Sequence, residues 1–349
     1  MDALAQRLSD ATLALCRVPS PTGQEARLCD AVAAWAASLS VPVRRVGNAL
    51  VVGRPPAGGP AIALAGHLDT VPDFPGDGPP RRAGGRIHGK GASDMKGGLA
   101  VAMALYEALA GRRRAPVLVF YDREEGPYSD NGLDPLFASG ALPELDLAIC
   151  LEPTANALSP GCVGSVHATV RYRGKSAHSA RPWEGKNAVH AAAPLLARLA
   201  ASAPREVEVD GLTFREVASI TRAAGGQARN VVPDLFELNL NYRFAPGKPL
   251  DHAQADVRAL VGDGAEIEFT DLAPGGPVCL GNPVVRRLRE AVARVEPKQA
   301  WTDVARFAAR GIDAVNFGPG EPSQAHQVDE WADADALVAA YQILERLFE

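Results

Sequence analysis

Four short apolar runs punctuate this chain, and each hands over to residues that can hold a metal or move a proton. The run 61–65 (Ala-Ile-Ala-Leu-Ala) ends at Gly66 and leads into His67-Leu68-Asp69, and the run 116–121 leads to Glu124-Glu125. The run 145–151 leads to Glu152, and 312–317 leads through Gly318-Pro319-Gly320 to His326. Continuous apolar stretches of this length, alternating with helical segments, predict buried strands of an α/β sheet. Residues 2–16 and 24–39 carry helical spacing, separated by the turn Pro19-Ser20-Pro21-Thr22-Gly23, with Thr22 expected to cap the second helix. Segments 41–46 and 49–52 read as paired strands. Residues 95–110, rich in Ala and Leu with Gly111 after them, read as a buried helix.

The pattern changes character after the linker-like segment 161–164. Val166, Ala168, Val170 and Tyr172 alternate with polar residues, as in a half-exposed antiparallel strand. A helix over 187–201, strands near 214–221 and 234–244, a helix over 250–261 and a strand at 266–269 follow. That β-α-β-β-α-β order is the ferredoxin-like pattern of a small α+β domain. Segment 271–277 reads as the return linker, after which the α/β alternation resumes at Pro283 and closes in an amphipathic helix over 334–348. The expected architecture is an α/β domain (residues 1–164 and 272–349) with a mostly parallel mixed sheet flanked by helices. A smaller α+β domain at 165–271 interrupts it.

Composition narrows the partners. The 349 residues leave room for two domains, each with its own core. A net charge of -5, spread along the chain, argues against nucleic acid or an anionic membrane surface. No apolar run approaches the roughly 20 residues of a membrane span, and the amino terminus lacks the pattern of a secretory signal. Cys16, Cys29, Cys150, Cys162 and Cys279 are scattered without a C-x-x-C pair, which fits reduced thiols in a cytoplasm rather than disulfides or a thiolate metal site.

Candidate chemistry then changes the picture. Ligands gather at the carboxyl ends of strands in open α/β sheets, and Asp94, just after Gly89-Lys90-Gly91, belongs to the same rim. Singly, each residue has a plain explanation: His67-x-Asp69 a polar strand end, Asp94 a helix cap, Glu124-Glu125 a solvated turn, Glu152 a loop start, His326 a surface histidine. Jointly they form a donor set. Imidazole and carboxylate without cysteine suit zinc, manganese or cobalt, and more carboxylates than one ion needs indicate two. The implied chemistry is metal-assisted hydrolysis.

Five ordered blocks, His67-Leu-Asp-Thr-Val-Pro72, Gly89-Lys-Gly-Ala-Ser-Asp94-Met-Lys-Gly97, Glu124-Glu125, Glu152-Pro-Thr154 and Gly318-Pro-Gly-Glu-Pro-Ser-Gln-Ala-His326, resemble the metal-site blocks of the dinuclear zinc aminoacylase and carboxypeptidase family. The resemblance spans essentially the whole chain. It implies two zinc (or cobalt or manganese) ions per subunit, with Asp94 bridging, His67 and Glu152 on one ion, and Glu125 and His326 on the other. It also implies that Glu124 is the general base and that Asp69 orients His67. The inserted domain would act as a lid and dimerisation domain, and His178, in Gly174-Lys-Ser-Ala-His178-Ser-Ala-Arg-Pro182, would reach the oxyanion from the partner subunit of a homodimer. Read without the resemblance, His178 is a loop histidine, and His190 sits among alanines where packing explains it.

Further segments resemble one branch of that family, whose small-molecule substrate is an acylated diamino acid with three carboxylates and one ammonium. They are Phe120-Tyr-Asp-Arg-Glu-Glu125, Ala177-His-Ser-Ala-Arg181, Asn230-Val-Val-Pro-Asp234, Asn239-Leu-Asn-Tyr-Arg-Phe-Ala-Pro246 and Trp301-Thr-Asp-Val-Ala-Arg-Phe307. By that resemblance Arg243, Asn230 and Thr302 contact substrate, and an arginine suits bidentate carboxylate binding. The chain departs from the branch at Cys162-Val163, where many members carry a basic pair. Rival readings are deacetylation of another N-acyl amino acid, dipeptide hydrolysis, or a metal-binding protein without catalysis. Nucleotide binding has no support, because the glycines at 89–98 complete neither a G-x-x-x-x-G-K-[ST] loop nor a G-x-G-x-x-G turn after a strand.

Overall fold

The computed structural model describes residues 2–109 and 114–349. The chain divides into two compact units: Met1–Gly161 with Pro277–Lys298 and Thr302–Glu349, and Cys162–Gly276 with the short segment Gln299–Trp301.

The first unit is built on a seven-stranded sheet. In spatial order its strands are Val43–Val46, Ala49–Val52, Val117–Tyr121, Ile62–His67, Leu147–Cys150, Ala314–Asn316 and Ser159–Pro160. The four apolar runs of the sequence supply its parallel centre, from Val117–Tyr121 to Ala314–Asn316. The remaining strands pair antiparallel at the margins. Every residue of Ile62–His67, Val117–Tyr121 and Leu147–Cys150 is buried, as strands covered on both faces must be. Helices Ala3–Cys16, Ala26–Ser38, Gly97–Leu109 and Ala334–Phe348 share the core with residues such as Leu64, Leu118 and Phe120. Full burial of each such side chain contributes about 1.5–3 kcal/mol. Helix Gly97–Leu109 packs closely on the strand that ends in His67: a Cβ at Gly66 would lie 2.5 Å from Leu99 Cδ2 and 2.8 Å from Met95 Cε, so those side chains would have to shift to admit one.

Several boundaries differ from expectation. Helix Gly97–Leu109 begins two residues after the expected start, because Asp94 and Met95 hold non-helical dihedrals within the turn Ala92–Lys96. Its expected end at Ala110 and Gly111 lies outside the described residues. Thr22 caps no helix; its hydroxyl donates to Asp69 Oδ2 at 3.0 Å, and helix Ala26–Ser38 starts after Glu25. A three-stranded sheet (Arg81–Ala83, Arg86–His88, Trp331–Asp333) was not legible in the sequence.

The second unit is a five-stranded antiparallel sheet in the order Arg205–Val209, Leu212–Gly225, Leu235–Phe244, Gly164–Arg173, Glu266–Ala273. One face carries Val166, Ala168, Val170, Leu238, Leu240 and Phe244 against helices Ala188–Ala191, Ala193–Ala201 and Leu250–Val261. The expected single helix over 187–201 is broken at Ala192, with Pro194 opening the second piece, and Asn187 Oδ1 caps the first by accepting the Val189 and His190 N–H groups. The sheet has one strand more than expected. Arg205–Val209 is an edge strand of alternating Arg, Glu and Val, too polar to read as a core strand.

Candidate metal centre

His67, Glu124, Glu125, Glu152 and His326 all follow carboxyl ends of the central strands, so the parallel sheet gathers them on one rim. Of the three overlapping donor sets with ligating atoms within 4.8 Å of one another, two share Asp94. One is His67, Asp94 and Glu152, and the other is Asp94, Glu125 and His326. Asp94 belongs to both through different oxygens. His67 Nε2 lies 3.2 Å from its Oδ1, and His326 Nε2 lies 3.8 Å from its Oδ2 and 2.8 Å from Glu125 Oε1. The carboxylate of Asp94 thus faces both imidazoles instead of capping a helix. Glu124 stands beside this arrangement, within the same distance of His67 and Glu125.

The outer contacts of His67 set its tautomer. Nδ1 donates to the main-chain carbonyl of Asp69 at 2.9 Å, which turns Nε2, the nitrogen a cation would take, toward Asp94 Oδ1 at 3.2 Å. The Asp69 carboxylate is 3.6 Å from that ring and does a second task. It accepts the Glu124 N–H on Oδ1 and the Glu125 N–H on Oδ2, each at 3.0 Å, and the Thr22 hydroxyl besides. Asp69 therefore holds the loop of both glutamates as well as the ring of His67, through different atoms. Gly320 serves the far loop: a Cβ there would fall onto the Ser93 carbonyl oxygen beside Asp94.

Burial and crowding set the electrostatics of the rim. Burial, reinforced by Glu152, holds Glu124 well above the usual carboxylate range. Burial and the charge of Asp94 push Glu152 up to about 7. Burial works against the charged form of His67, but the hydrogen bond to Asp94 and the charges of Asp69 and Glu124 outweigh it and raise the imidazole. Asp94 is held below its ordinary value against its own burial, chiefly by His67. Glu152 Oε1 is buried with no hydrogen-bond partner. Four crowded carboxylates, two imidazoles and an orphaned buried oxygen are a donor set that could hold a metal ion, and a set of nitrogen and oxygen donors without sulfur suits zinc, cobalt or manganese.

Sequence reading missed the floor of this rim. Asp303, fully buried, pairs with Arg306 Nε at 2.9 Å and accepts from Asn131 Nδ2 at 3.0 Å. It follows Thr302, which is itself buried in the first unit. Nothing in the spacing of Asn131, Asp303 and Arg306 marks this network, since the first two lie 172 residues apart.

The remaining candidates lie in the second unit. Arg243, Asn241, Asn239, Ser165 and His167 share the sheet face opposite its apolar one, Arg243 across from Ser165 and Asn241 across from His167. Arg243 is partly buried, and its Nε donates to Asn241 Oδ1 at 3.0 Å. His178 pairs with Val231, and Ser179 N–H donates to the Asn230 carbonyl, so His178 and Asn230 are neighbours. Nδ1 of His178 accepts the Ala180 N–H at 3.0 Å, which places the neutral ring's proton on Nε2 and makes that atom a donor.

Comparison with known proteins agrees with this geometry. Residues 63–349 match peptidase family M20/M25/M40. The chain is 42% identical over 342 residues to a Mycobacterium tuberculosis protein assigned as succinyl-diaminopimelate desuccinylase, covering 96% of each. It is 38% identical to the succinyl-diaminopimelate desuccinylase of Corynebacterium glutamicum, covering 98% of this chain and 94% of that one. Among solved structures, a Staphylococcus aureus tripeptidase matches with a TM-score of 0.83 at 21% identity, over 99% of this chain and 97% of its own. With an α/β sheet that gathers the donors and a match over most of its length, the chain belongs to peptidase family M20/M25/M40.

Proposed function

We propose that this protein hydrolyses the amide of N-succinyl-LL-2,6-diaminopimelate to succinate and LL-2,6-diaminopimelate, a reaction of lysine and cell-wall precursor biosynthesis. The observation that carries the hydrolytic reading is the pair of donor sets sharing Asp94, with Glu124 beside them. Support for the substrate is the identity to the two actinobacterial relatives over nearly the full chain. His67, Asp94 and Glu152 would hold one ion, and Asp94, Glu125 and His326 a second. When bound, the ions supply the Lewis acidity that makes water a nucleophile near neutral pH and polarises the amide carbonyl.

The chain's own groups do the rest. Asp69 presents Glu124 by holding its N–H. Glu124 takes the proton from the attacking water and passes it to the leaving amine nitrogen, so one water is consumed for each amide cleaved. Arg243, Asn230 and Thr302 contact the substrate, Arg243 by a paired hydrogen bond to a carboxylate. No described helix is long and apolar enough to cross a membrane, and a cytoplasmic place of action accords with the scattered cysteines. Turnover on succinyl, N-acetyl-ornithine, N-acetyl-lysine and dipeptide substrates, with metal analysis of the same sample, tests the reading. The succinyl substrate is expected to show the highest kcat/KM. A higher value on an acetyl or peptide substrate transfers the function to that rival, and two bound ions with no turnover on any would leave a metal-binding protein.

The working unit in this reading is a homodimer formed through the second unit. Trp183, Leu196, Val217, Val231 and Leu235, all in that unit, are exposed apolar side chains, and Trp183 is 76% exposed. A two-fold contact covers both copies with the same surface. His178 then acts on the partner's reaction, its Nε2–H stabilising the oxyanion. His178→Ala should lower kcat with metal content intact. Mixing it with Glu124→Gln subunits should restore activity, because one site of a mixed dimer keeps both residues. No recovery after proven subunit exchange would mean that His178 acts within its own chain or not at all.

A further inference from the structure

We propose that Glu330 is a positioning residue that clamps the segment bearing Asp94 to the segment bearing His326, and so sets the spacing of the two ion sites. The inference rests on the two-ion reading above. Glu330 is 2% exposed and touches neither histidine. Its carboxylate accepts three main-chain N–H groups: Gly91 on Oε2 at 2.9 Å, and Ser93 and Asp94 on Oε1 at 2.8 and 2.9 Å. Its carbonyl accepts a fourth, from Gly89, at 2.9 Å.

Asp94 needs such a support. The turn Ala92–Lys96 is not helical at Asp94 (φ −120°, ψ 91°), so helix bonds do not hold its main chain. Glu330 lies four residues after His326, whose own φ of 61° is left-handed. A second strut runs beside the first. Ser93 Oγ donates to the Trp331 carbonyl at 2.7 Å and accepts the Glu321 N–H at 3.1 Å. Together the two side chains tie positions 91–94 to 321–331 on both sides of His326. The two oxygens of Asp94 face His67 and His326 separately, so in the two-ion reading a small rotation of this turn would move a ligand of each ion. Groups that orient ligands in this way typically cost about 10–100-fold in metal affinity when changed.

Glu330→Gln keeps the shape but sets an amide N–H₂ against a main-chain N–H. Stepwise ion affinities, read by chelator competition with Zn(II) and from the Co(II) absorption spectrum, should weaken at least 10-fold with an altered spectrum. At saturating metal, kcat and KM should return to within a few-fold of the parent, because Glu330 touches no substrate. Parent-like affinities and spectrum overturn the proposal, and so does a kcat that stays low when both ions are bound. Should Glu330→Gln not fold, Ser93→Ala carries the test through the second strut. A threefold or larger loss of affinity supports the clamp, and parent-like affinity overturns it. The parent protein separates the two claims: fewer than two ions there sinks the two-ion reading itself, whereas two ions there confine any failure to the clamp.

Discussion

Protein carrying Asp94→Ala is expected to retain neither ion. Its two carboxylate oxygens face His67 and His326 separately, at 3.2 and 3.8 Å, so one substitution removes a ligand from both donor sets. Glu152 belongs to one set only, and Glu152→Ala should weaken mainly the ion shared with His67. The loss for Asp94→Ala should exceed the roughly 10–100-fold that follows removal of an outer partner, because a direct ligand is gone. Turnover should vanish with the metal. Metal analysis after dialysis decides the matter: two equivalents still bound to the Asp94→Ala protein, with normal turnover, would end the bridging assignment.

Glu124→Gln tests the proposed base apart from the proposed ligands. The amide keeps the size of the carboxylate and its main-chain bond to Asp69, but it cannot accept a proton. Turnover should fall by about 10²–10⁴-fold, the range typical of general-base loss. Metal content should match the parent, since Glu125, held by the other oxygen of Asp69, remains in place. Because Glu124 also lies within ligating distance of His67 and Glu125, this experiment is a real discrimination. A metal-depleted Glu124→Gln protein would make Glu124 a ligand and reverse the roles of the adjacent pair.

The two results together test a division of labour between neighbours in sequence. Glu124 and Glu125 follow one strand, and Arg123 before them sits at φ 59° in a tight left-handed turn. Asp69 accepts both of their N–H groups, so each side chain has a separately fixed origin. A substitution at Asp69 therefore disturbs Glu124 and Glu125 at once, which makes it a poor probe of either role.

Legibility in the sequence followed how local each signal was. Buried parallel strands announce themselves as uninterrupted apolar runs, and each run here is followed within about ten residues by a candidate donor. The helix Leu250–Val261 and the closing helix Ala334–Phe348 were equally plain, because a 3.6-residue apolar period is carried within one segment. The polar edge strand Arg205–Val209 and the small sheet joining Arg81–Ala83, Arg86–His88 and Trp331–Asp333 were not, since short or charged strands are defined by their pairing partners rather than by their own residues.

By itself the sequence determined which residues can bind cations and on which side of an α/β sheet they emerge, because strand polarity and side-chain chemistry are written locally. Only the tertiary structure decided how those donors are shared. That Asp94 splits its oxygens between two imidazoles, that Asp69 grips His67 by its carbonyl and the glutamate loop by its carboxylate, and that Glu330 receives three N–H groups from a turn 236 to 239 residues away are facts of convergence. Hydrogen bonds act over about 3 Å, and which groups come within that reach depends on the packing of the whole sheet and not on any stretch of chain.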